Sequence, residues 1–394
     1  MIKTLKSFDL KDKRVLLRLD FNVPISENKV TDNFRIVSAL PTIQHCLKSG
    51  AKIIIMSHLG RPGGKVVPEL SLISVGELLA DLLEMPIKFS DDCISEDSHD
   101  VTLGLRSGEI HLLENLRFHP EEDKNEKDFS SKLAKHGEVY INDAFGTAHR
   151  AHASNNRVTK YFLNKGMGLL FERELDYLSK KITKPKKPLT VILGGAKIDT
   201  KLDLINHFIS SADNILIGGG MAFTFLLARG IDVGNSLVDL NMLNNAKKIL
   251  NRARGKINLL FPEDFICAQS IDDNKNAKVY DVNHIPSSTC GFDIGPSTID
   301  IFSKIISNSG TIFWNGPMGV FEVDGFHHGT QKLASLIADE TEKDVITITG
   351  GGDSVAAIKK FGYLDQFSHV SSGGGASLEL LVGNNLPSIY ALEL

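Results

Sequence analysis

A glycine turn near the end of the chain carries residue types that bind phosphate together with a metal ion. Residues 350–352 are glycines that follow a β-branched run, and Asp353 and Ser354 come next, where a helix cap is expected. The amides of such a helix start attract phosphate, whereas a carboxylate there repels it unless a metal ion lies between them. Asp353 is therefore a candidate Mg²⁺ ligand. Taken alone, one such loop is better explained as a tight turn with a capping aspartate.

Three further stretches repeat this pattern of an apolar run, adjacent glycines and a helix start: residues 191–201, 215–225 and 369–381. Parallel strands present their carboxyl ends at one edge of a sheet, so these turns bring several helix N-termini together. In the triple-glycine turns a larger residue occupies the third glycine position of the dinucleotide fingerprint. The pattern therefore favours a phosphate site on a parallel α/β sheet and argues against nicotinamide binding.

Basic residues follow successive strand-like runs in the first half of the chain, and Asp20 and Asn22 end the first of them. Asp20 and Asn22 can hold ligand hydroxyls or only stabilise a turn. An isolated arginine is usually a solvated surface residue, and an isolated histidine is usually structural. Repeated placement at converging strand ends instead favours a site for a small polyanion, bound by guanidinium groups. The basic residues concerned are His58, Arg61, Arg117, His149 and Arg150.

The elements that position these groups include two helices in the first half. Helical character resumes near Asn33, and Pro41 is expected to begin a helix ending at Ser49, which leaves Arg35 just ahead of it. Residues 166–181 have mixed apolar and charged faces and are predicted to form a second helix.

Lys197 and Lys201 follow a glycine pair in the second half of the chain. They are four residues apart, so they lie on one side of a helix that begins between them. Directly after the glycine turn both can reach phosphates, and the alternative is an ordinary pair of surface lysines.

Length and composition favour a globular protein of two domains. The chain has 394 residues, of which 42% are hydrophobic and 23% charged. Its net charge of −4 argues against general nucleic-acid or membrane binding.

The cysteines of the chain are widely spaced, which favours reduced, buried thiols over zinc or disulfides. Since neither an apolar leader nor an 18-residue apolar run is present, we expect a cytoplasmic protein. The cysteines are Cys46, Cys93, Cys267 and Cys290.

Motifs along nearly the entire chain closely resemble those of the phosphoglycerate kinase family, and they occur in the family's order. Each is moderately specific, and their combination is highly so. They are RLDFNVP (18–24), SHLGRP (57–62), LLENLRF (112–118), NDAFGTAHRAHAS (142–154), GGAK (194–197), WNGPMGVFE (314–322) and GGGDS (350–354).

The resemblance implies an α/β fold of two domains, each a mostly parallel, Rossmann-like sheet flanked by helices. Residues 1–165 would bind phosphoglycerate, 166–184 form an interdomain helix and hinge, 185–380 bind the nucleotide, and 381–394 return to the first domain. The implied reaction is direct in-line phosphoryl transfer between 1,3-bisphosphoglycerate and ADP, giving 3-phosphoglycerate and ATP, in glycolysis and gluconeogenesis. We expect a monomer that uses Mg²⁺ with ATP or ADP and binds neither nucleic acid nor membranes.

The same resemblance implies roles for individual residues. Arg35, Lys197 and Lys201 are the expected catalytic residues, and Arg35 is the one expected to contact the carboxylate and the phosphoryl group in transfer. Arg18 and His149 belong to the same basic patch in the family. The implied phosphoglycerate contacts are Asp20, Asn22, Arg35, His58, Arg61, Arg117 and Arg150.

On the nucleotide side, Glu322 would take the ribose hydroxyls, although an exposed acid at a helix start is a common alternative. Asp353 would hold the metal. Thr200, Val382 and Ser388 depart from the family's usual residues, and the last two belong to the end of the chain that is expected to return to the first domain. The implied nucleotide contacts are Gly194, Gly195, Lys201, Gly218, Gly219, Asn315, Gly319, Glu322, Gly351, Gly352, Asp353 and Ser354.

Two other classes of protein remain as alternatives. A nicotinamide oxidoreductase uses similar sheets, but the fingerprint glycines are missing. A non-catalytic nucleotide-binding or scaffold protein can keep the fold without needing the complete set of anion-binding residues.

Overall fold

A computed structural model describes residues 2–393, so Met1 and Leu394, which begin and end the predicted domains, lie outside it. The described chain divides into two compact units. The first contains the residues up to Asp176 and those from Gly375 onward, and the second is Tyr177–Gly374. Each has a six-stranded parallel sheet among its described residues. The predicted α/β class with two parallel sheets is therefore confirmed.

The sheet of the first unit is built from short apolar strands. Its central strands are almost entirely buried, as expected when helices cover both faces of a parallel sheet. The strands are β1 (Arg14–Arg18), β2 (Ile25–Ser26), β3 (Lys29–Val30), β4 (Lys52–Met56), β5 (Ile87–Ser90), β6 (Ile110–Leu113), β7 (Val139–Asn142) and β8 (Lys165–Met167). The order is β5-β6-β4-β1-β7-β8, and β2 and β3 form a separate hairpin.

The helices of this unit include one that differs from the prediction. They are α1 (Phe34–Lys48), α2 (Ile73–Leu83), α3 (Glu96–Leu103), α4 (Pro120–Asp123), α5 (Lys127–Ala134) and α6 (Leu169–Leu175). The predicted start at Pro41 was wrong, because α1 begins at Phe34 and continues through this proline. The carbonyl that loses its helical donor belongs to Val37, which is 43% exposed, so water can replace the missing bond. Arg35 therefore lies in the first turn of α1.

The predicted helix over residues 166–181 was also wrong at its start. Gly166 belongs to the edge strand β8, where it pairs with Ile141 of β7. On the other side, the Met167 amide donates to the Lys3 carbonyl at 3.0 Å. Strand pairing on both sides therefore delays the helix until Leu169, and a π-helical stretch, Asp176–Lys181, follows α6.

The second unit contains a parallel sheet and an antiparallel sheet. The strands are β9 (Leu189–Leu193), β10 (Asn214–Ile217), β11 (Asn258–Leu260), β12 (Asp264–Ala268), β13 (Lys278–Asp281), β14 (Cys290–Ile294), β15 (Thr311–Asn315), β16 (Ile346–Thr349) and β17 (His369–Val370). The parallel order is β11-β10-β9-β15-β16-β17. The antiparallel sheet, β13-β12-β14, was not predicted, because its strands are partly exposed and β12 pairs with β14 through an irregular register.

The described part of the second unit contains six α-helices. They are α7 (Leu202–Phe208), α8 (Met221–Ala228), α9 (Leu243–Ala253), α10 (Pro296–Ile306), α11 (His328–Thr341) and α12 (Gly352–Lys360). As predicted, α7, α8 and α12 follow the glycine turns after β9, β10 and β16. The predicted cap of α12 was wrong. Gly351 caps this helix with a φ of 96°, and Asp353 and Ser354 lie in the first turn. A positive φ suits glycine, which explains the glycine at this point.

The last two helices, α13 (Gly375–Leu381) and α14 (Pro387–Glu393), belong to the first unit. Leu392 packs into a core cluster of that unit, and the Ser388 amide donates to the Ala148 carbonyl at 3.1 Å. The buried Ser388 hydroxyl has no hydrogen-bond partner among the described residues. Between residues 2 and 393, the structure contains no helix both long and apolar enough to cross a membrane.

Candidate anion and nucleotide sites

The predicted polyanion contacts of the first unit are connected at the carboxyl ends of β1 and β4. The Arg35 Nη1 atom donates to Asp20 Oδ2 at 3.0 Å and to the Asn22 carbonyl at 3.2 Å. The Asn22 side chain in turn accepts from the Gly60 amide at 2.9 Å. These bonds join α1, the end of β1 and the loop after β4, so Arg35 is oriented by the protein itself.

Arg117 reaches the same loop from the end of β6. Its Nη1 atom donates to the Gly60 carbonyl at 2.8 Å, and its Nε atom lies 3.4 Å from Asp123 Oδ1. That Nε atom is buried and has no hydrogen-bond partner among the described residues. Burial lowers the pKa of Arg117. A buried guanidinium group with an unsatisfied donor is well suited to bind an anionic ligand.

The remaining predicted contacts differ in how the protein holds them. Arg61 is exposed on the loop after β4. Arg150 is half-buried, and its Nε atom donates to His149 Nε2 at 3.2 Å. The Arg61 side chain is therefore solvent-exposed, whereas the neighbouring His149 ring supports Arg150.

His58 belongs to a buried hydrogen-bond network that includes Arg18 and Ser154. Burial and the Arg18 charge hold the pKa of His58 well below its usual range, so this ring is a neutral hydrogen-bonding group. Arg18 Nη2 lies 3.2 Å from His58 Nδ1, and Arg18 Nε donates to Ser154 Oγ at 2.8 Å. The positive charge of the site therefore belongs to its arginines.

Ser154 and Glu122 complete this network, and sequence reasoning did not single them out. The Ser154 hydroxyl donates to Glu122 Oε1 at 2.6 Å, and both residues are fully buried. Burial raises the pKa of Glu122, while the Arg18 charge opposes that rise. Ser154 ends one of the quoted motifs, whereas nothing in the sequence around Glu122 marks it as buried.

A cavity of about 440 Å³ lies at the carboxyl ends of strands in the second unit. It is lined by residues after β9, β10 and β15 and by residues of β12 and β14 in the antiparallel sheet. Aromatic rings and a methionine make much of its wall apolar, which suits a flat base. These are Phe223, Phe265, Phe292, Phe321 and Met318, none of which was predicted. The predicted residues that line the cavity are Gly195, Gly219, Gly319, Glu322 and Asp353.

Two other predicted glycines, Gly194 and Gly218, lie against the segment after β15. A Cβ atom at Gly194 would lie 2.1 Å from the Pro317 carbonyl, and one at Gly218 would lie 2.4 Å from the Met318 sulfur. Neither position can therefore carry a side chain without displacing this segment, and the nucleotide contact of both glycines stays a prediction. They allow the turns after β9 and β10 to contact the segment after β15.

Asn315 and Ser354 brace the glycine turn before α12. The Asn315 amide donates to the Gly350 carbonyl, and Ser354 Oγ accepts from the Gly316 amide at 2.6 Å. A Cβ atom at Gly351 would lie 2.7 Å from Asn315 Nδ2, whereas one at Gly352 would meet open space. Asn315, Gly351 and Ser354 therefore shape the backbone at the start of α12. The absence of a side chain at Gly352 leaves the space in front of this helix start open.

Lys201 and Asp353 are close enough for their charges to interact. Burial lowers the pKa of Lys201 to about 8, and the Asp353 charge opposes this shift. Lys197 is exposed, and a 3-10 turn, Asp199–Lys201, begins between the two lysines and leads into α7. Positive charge thus stands beside the carboxylate at the start of α12.

Asp293 is a buried acid in the cavity wall that sequence reasoning missed. Its carboxylate accepts from the Gly329 amide at 2.7 Å and from the Ile294 amide at 2.9 Å. Burial raises the pKa of Asp293 to about 8. The one feature of the sequence that could have indicated this site is an aspartate next to apolar residues at the end of β14.

The chain is similar to known proteins over nearly its whole length. The model of the phosphoglycerate kinase family matches residues 5–384. Curated phosphoglycerate kinases of Chlorobaculum tepidum and Chlorobium phaeobacteroides (strain BS1) are each 48% identical over 393 residues, which cover 99% of this chain and 99% of each relative. The solved phosphoglycerate kinase of Coxiella burnetii has a TM-score of 0.89 at 38% identity, covering 100% of this chain and 99% of that one. That of Pyrococcus horikoshii OT3 has a TM-score of 0.86 at 31% identity, covering 100% and 98%.

Proposed function

The chain belongs to the phosphoglycerate kinase family, and we propose that its first unit binds phosphoglycerate while its second unit binds the nucleotide. The enzyme transfers a phosphoryl group reversibly between 1,3-bisphosphoglycerate and ADP, giving 3-phosphoglycerate and ATP in glycolysis. The observation that carries the division of sites is the Asp20–Arg35 pair and its neighbouring arginines in one unit, with a glycine-edged apolar cavity in the other.

The arginine site suits the charges of phosphoglycerate. This substrate carries a phosphate and a carboxylate, and guanidinium groups match both by paired hydrogen bonds. We assign Arg35 to the carboxylate and the phosphoryl group in transfer, because Asp20 and the Asn22 carbonyl already orient its Nη1 atom. The neutral His58 and the polar Asp20 and Asn22 then contact uncharged parts or oxygens of the substrate. The other assigned phosphoglycerate contacts are Arg61, Arg117 and Arg150.

The cavity of the second unit suits a nucleotide. Its aromatic wall and its glycine edges accommodate the base, and the exposed Glu322 carboxylate is assigned to the ribose hydroxyls. Lys197, Lys201 and the first amides of α12 are assigned to the phosphates, because a helix start and lysines both attract anions. Because burial lowers the pKa of Lys201 to about 8, its ammonium group loses a proton more readily than that of an ordinary lysine. A bound phosphate would stabilise the charged form.

Mg²⁺ fits beside the nucleotide phosphates at Asp353. This carboxylate is exposed, lies in the first turn of α12 and lines the cavity. Mg²⁺ prefers oxygen ligands and commonly takes one or two carboxylates together with phosphate and water. When bound, the ion neutralises phosphate charge.

The chemistry these residues support is direct transfer without a covalent enzyme intermediate. An acyl oxygen of the substrate and a nucleotide phosphate oxygen exchange the phosphoryl group in line. Catalysis then consists mainly of positioning and of neutralising the passing charge with Arg35, Lys197 and Lys201.

The test is ADP formation from MgATP with and without 3-phosphoglycerate. We expect turnover that requires 3-phosphoglycerate and that disappears when this substrate is omitted. A nucleotide-binding scaffold would bind MgATP without such turnover, and a nicotinamide oxidoreductase would instead change cofactor absorbance. Either result would refute the proposed activity.

We also propose a monomeric enzyme of the cytoplasm. All its cysteines are free thiols, and three of them are buried, as is usual where the surroundings are reducing. Analytical ultracentrifugation and cell fractionation test these two points, and a stable dimer or a membrane-bound fraction would contradict them.

A further inference from the structure

The segment of residues 318–322 forms one wall of the nucleotide cavity, and α11 anchors its beginning. The Met318 and Gly319 amides donate to the Thr330 hydroxyl of α11 at 3.0 and 3.3 Å. The Val320 amide donates to the Phe292 carbonyl of β14 at 2.9 Å. The start of the wall is therefore fixed by the buried Thr330 hydroxyl of α11 and by a backbone carbonyl of β14.

Lys360 anchors the other end of this wall. Its Nζ atom donates to the Phe321 carbonyl at 2.9 Å and to the Glu322 carbonyl at 3.3 Å. The nearby bonds from the Phe321 amide to Gly319 and from the Val323 amide to Val320 stay within the turn itself. Lys360 thus connects the backbone of Glu322 to a different element of the unit.

The position of Lys360 in α12 makes this connection informative. Lys360 is the last residue of the helix whose first turn carries Asp353. At a rise of 1.5 Å per residue these two residues are about 10 Å apart along the helix axis. The short helix α12 therefore carries Asp353, which is assigned to the metal beside the nucleotide phosphates. Through Lys360 it also holds the backbone of Glu322, which is assigned to the ribose.

We propose that Lys360 is a positioning residue for the nucleotide, whose ammonium group places the Glu322 carboxylate against the ribose hydroxyls. This inference rests on the proposed function, in which Glu322 contacts the ribose. Hydrogen bonds from a charged donor are stronger than neutral ones, and Lys360 gives two of them to adjacent carbonyls. Because Lys360 is exposed, replacing it opens no cavity in the core.

The test compares Lys360→Met with the wild-type enzyme, using MgATP and the magnesium complexes of 2′-deoxy-ATP and 3′-deoxy-ATP. We expect the KM for MgATP to rise about tenfold, the size expected when a hydrogen bond to a charged group is lost. The preference for ATP over the deoxynucleotides should fall, while the KM for 3-phosphoglycerate stays within twofold. Lys360→Arg keeps the donors and should restore the preference. Lys247→Met, which removes an exposed lysine of α9, is the matched control.

Glu322→Ala, which removes the hydrogen-bonding group, distinguishes failure of the inference from failure of the ribose assignment. If this variant loses the preference for ribose hydroxyls and Lys360→Met keeps it, Lys360 does not position Glu322 and the inference is overturned. If Glu322→Ala keeps the preference, the ribose assignment of Glu322 is itself wrong and the inference is overturned with it. Loss of the preference in both variants, with rescue by arginine, supports the inference, because a general loss of stability would not select against ribose hydroxyls.

Discussion

Among single residues, the protein prepares Arg35 most directly for phosphoryl transfer. Asp20 is nearly buried and accepts from Arg35 Nη1 at 3.0 Å, which fixes the guanidinium group before any ligand arrives. The charge of the site is therefore already in place, and binding need not order this side chain.

We predict that Arg35→Ala lowers kcat by about a thousandfold or more, the order found when an arginine that neutralises a transferring phosphoryl group is removed. Steady-state kinetics with saturating MgATP and 3-phosphoglycerate provides the measurement. Arg35→Lys keeps the charge without the planar fork and should lose less activity than Arg35→Ala. An alanine variant with most of the wild-type turnover would show that Arg35 does not act on the phosphoryl group.

Lys201 gives a prediction about protons. Its pKa in the folded protein is lowered to about 8, so near pH 8.5 part of the population is neutral before ligand binds. A bound phosphate favours the charged form, and nucleotide binding should therefore take up protons at this pH. Calorimetry of MgADP binding in two buffers with different ionisation heats measures that uptake. Lys201→Met should abolish it, and identical heats for the wild-type enzyme in both buffers would contradict the assignment.

Among the elements, α12 combines three features at its N-terminus: a preceding glycine turn, the Asp353 carboxylate and the free amides of a helix start. Asn315 and Ser354 hold the turn before α12, so Asp353 projects from a fixed helix end. The site therefore depends on the geometry of this element as well as on the chemistry of one carboxylate.

We predict that Asp353→Asn weakens MgADP and MgATP binding much more than it weakens binding of the metal-free nucleotides. The reason is that the carboxylate is proposed to act through the ion, and an amide is a poorer ligand for Mg²⁺. Calorimetric titrations with and without magnesium make the comparison. Equal weakening in both conditions would reject the metal role.

A second element-scale feature is a buried histidine network between β6 and α3. Thr102 Oγ1 lies 2.9 Å from His111 Nδ1 and 2.7 Å from His136 Nδ1, and both rings are fully buried. Burial lowers the pKa of His111 to about 4 and that of His136 to about 3. Both rings are therefore neutral in the folded protein at physiological pH.

This network predicts acid sensitivity. Because both histidines bind protons more weakly in the folded chain than in the unfolded chain, unfolding takes up protons and stability falls as the pH drops from about 6.5 toward 4. Urea unfolding followed by circular dichroism across this range measures the slope. His111→Gln cannot gain this charge and should flatten the slope, whatever its stability at pH 7. An unchanged slope in that variant would exclude His111 as a cause.

The sequence predicted elements best where local pattern and burial agree. The strands that became β1, β4 and β9 are apolar runs bounded by glycine, proline or charge, and their ends carry the site residues. Pro41 misled the prediction because a proline start is locally favoured, while the exposed backbone around Val37 allows the helix to continue. The antiparallel sheet beside the nucleotide cavity depends on pairing between distant segments, and no local pattern reports such pairing.

The same distinction applies to site residues. Charged residues such as Arg117, in the segment that follows a strand, could be predicted because the end of a parallel strand is a known location for ligands. Glu122 and Asp293 could not, because their importance comes from burial and from amides supplied by other segments. The roles assigned to the predicted residues rest on the family resemblance together with this geometry.

For the whole molecule, the main consequence is that the two reactants are assigned to different units. The proposed phosphoglycerate contacts lie between Asp20 and Arg150, and the proposed nucleotide contacts lie between Gly194 and Ser354. Each site must be open to load its ligand, whereas transfer requires reacting atoms about 3 Å apart with water excluded. We therefore propose closure about α6 and the stretch that follows it, completed only when both ligands contribute contacts.

Small-angle X-ray scattering tests this division of the reactants between two units most directly. We predict that the radius of gyration of the enzyme saturated with 3-phosphoglycerate and a non-hydrolysable MgATP analogue is smaller than that of the free enzyme. Either ligand alone should give a smaller decrease, because neither bridges both units as completely. Calorimetry on the same samples should establish that both sites are filled. A radius of gyration that stays unchanged under demonstrated double saturation would contradict closure as the step that brings the reactants together.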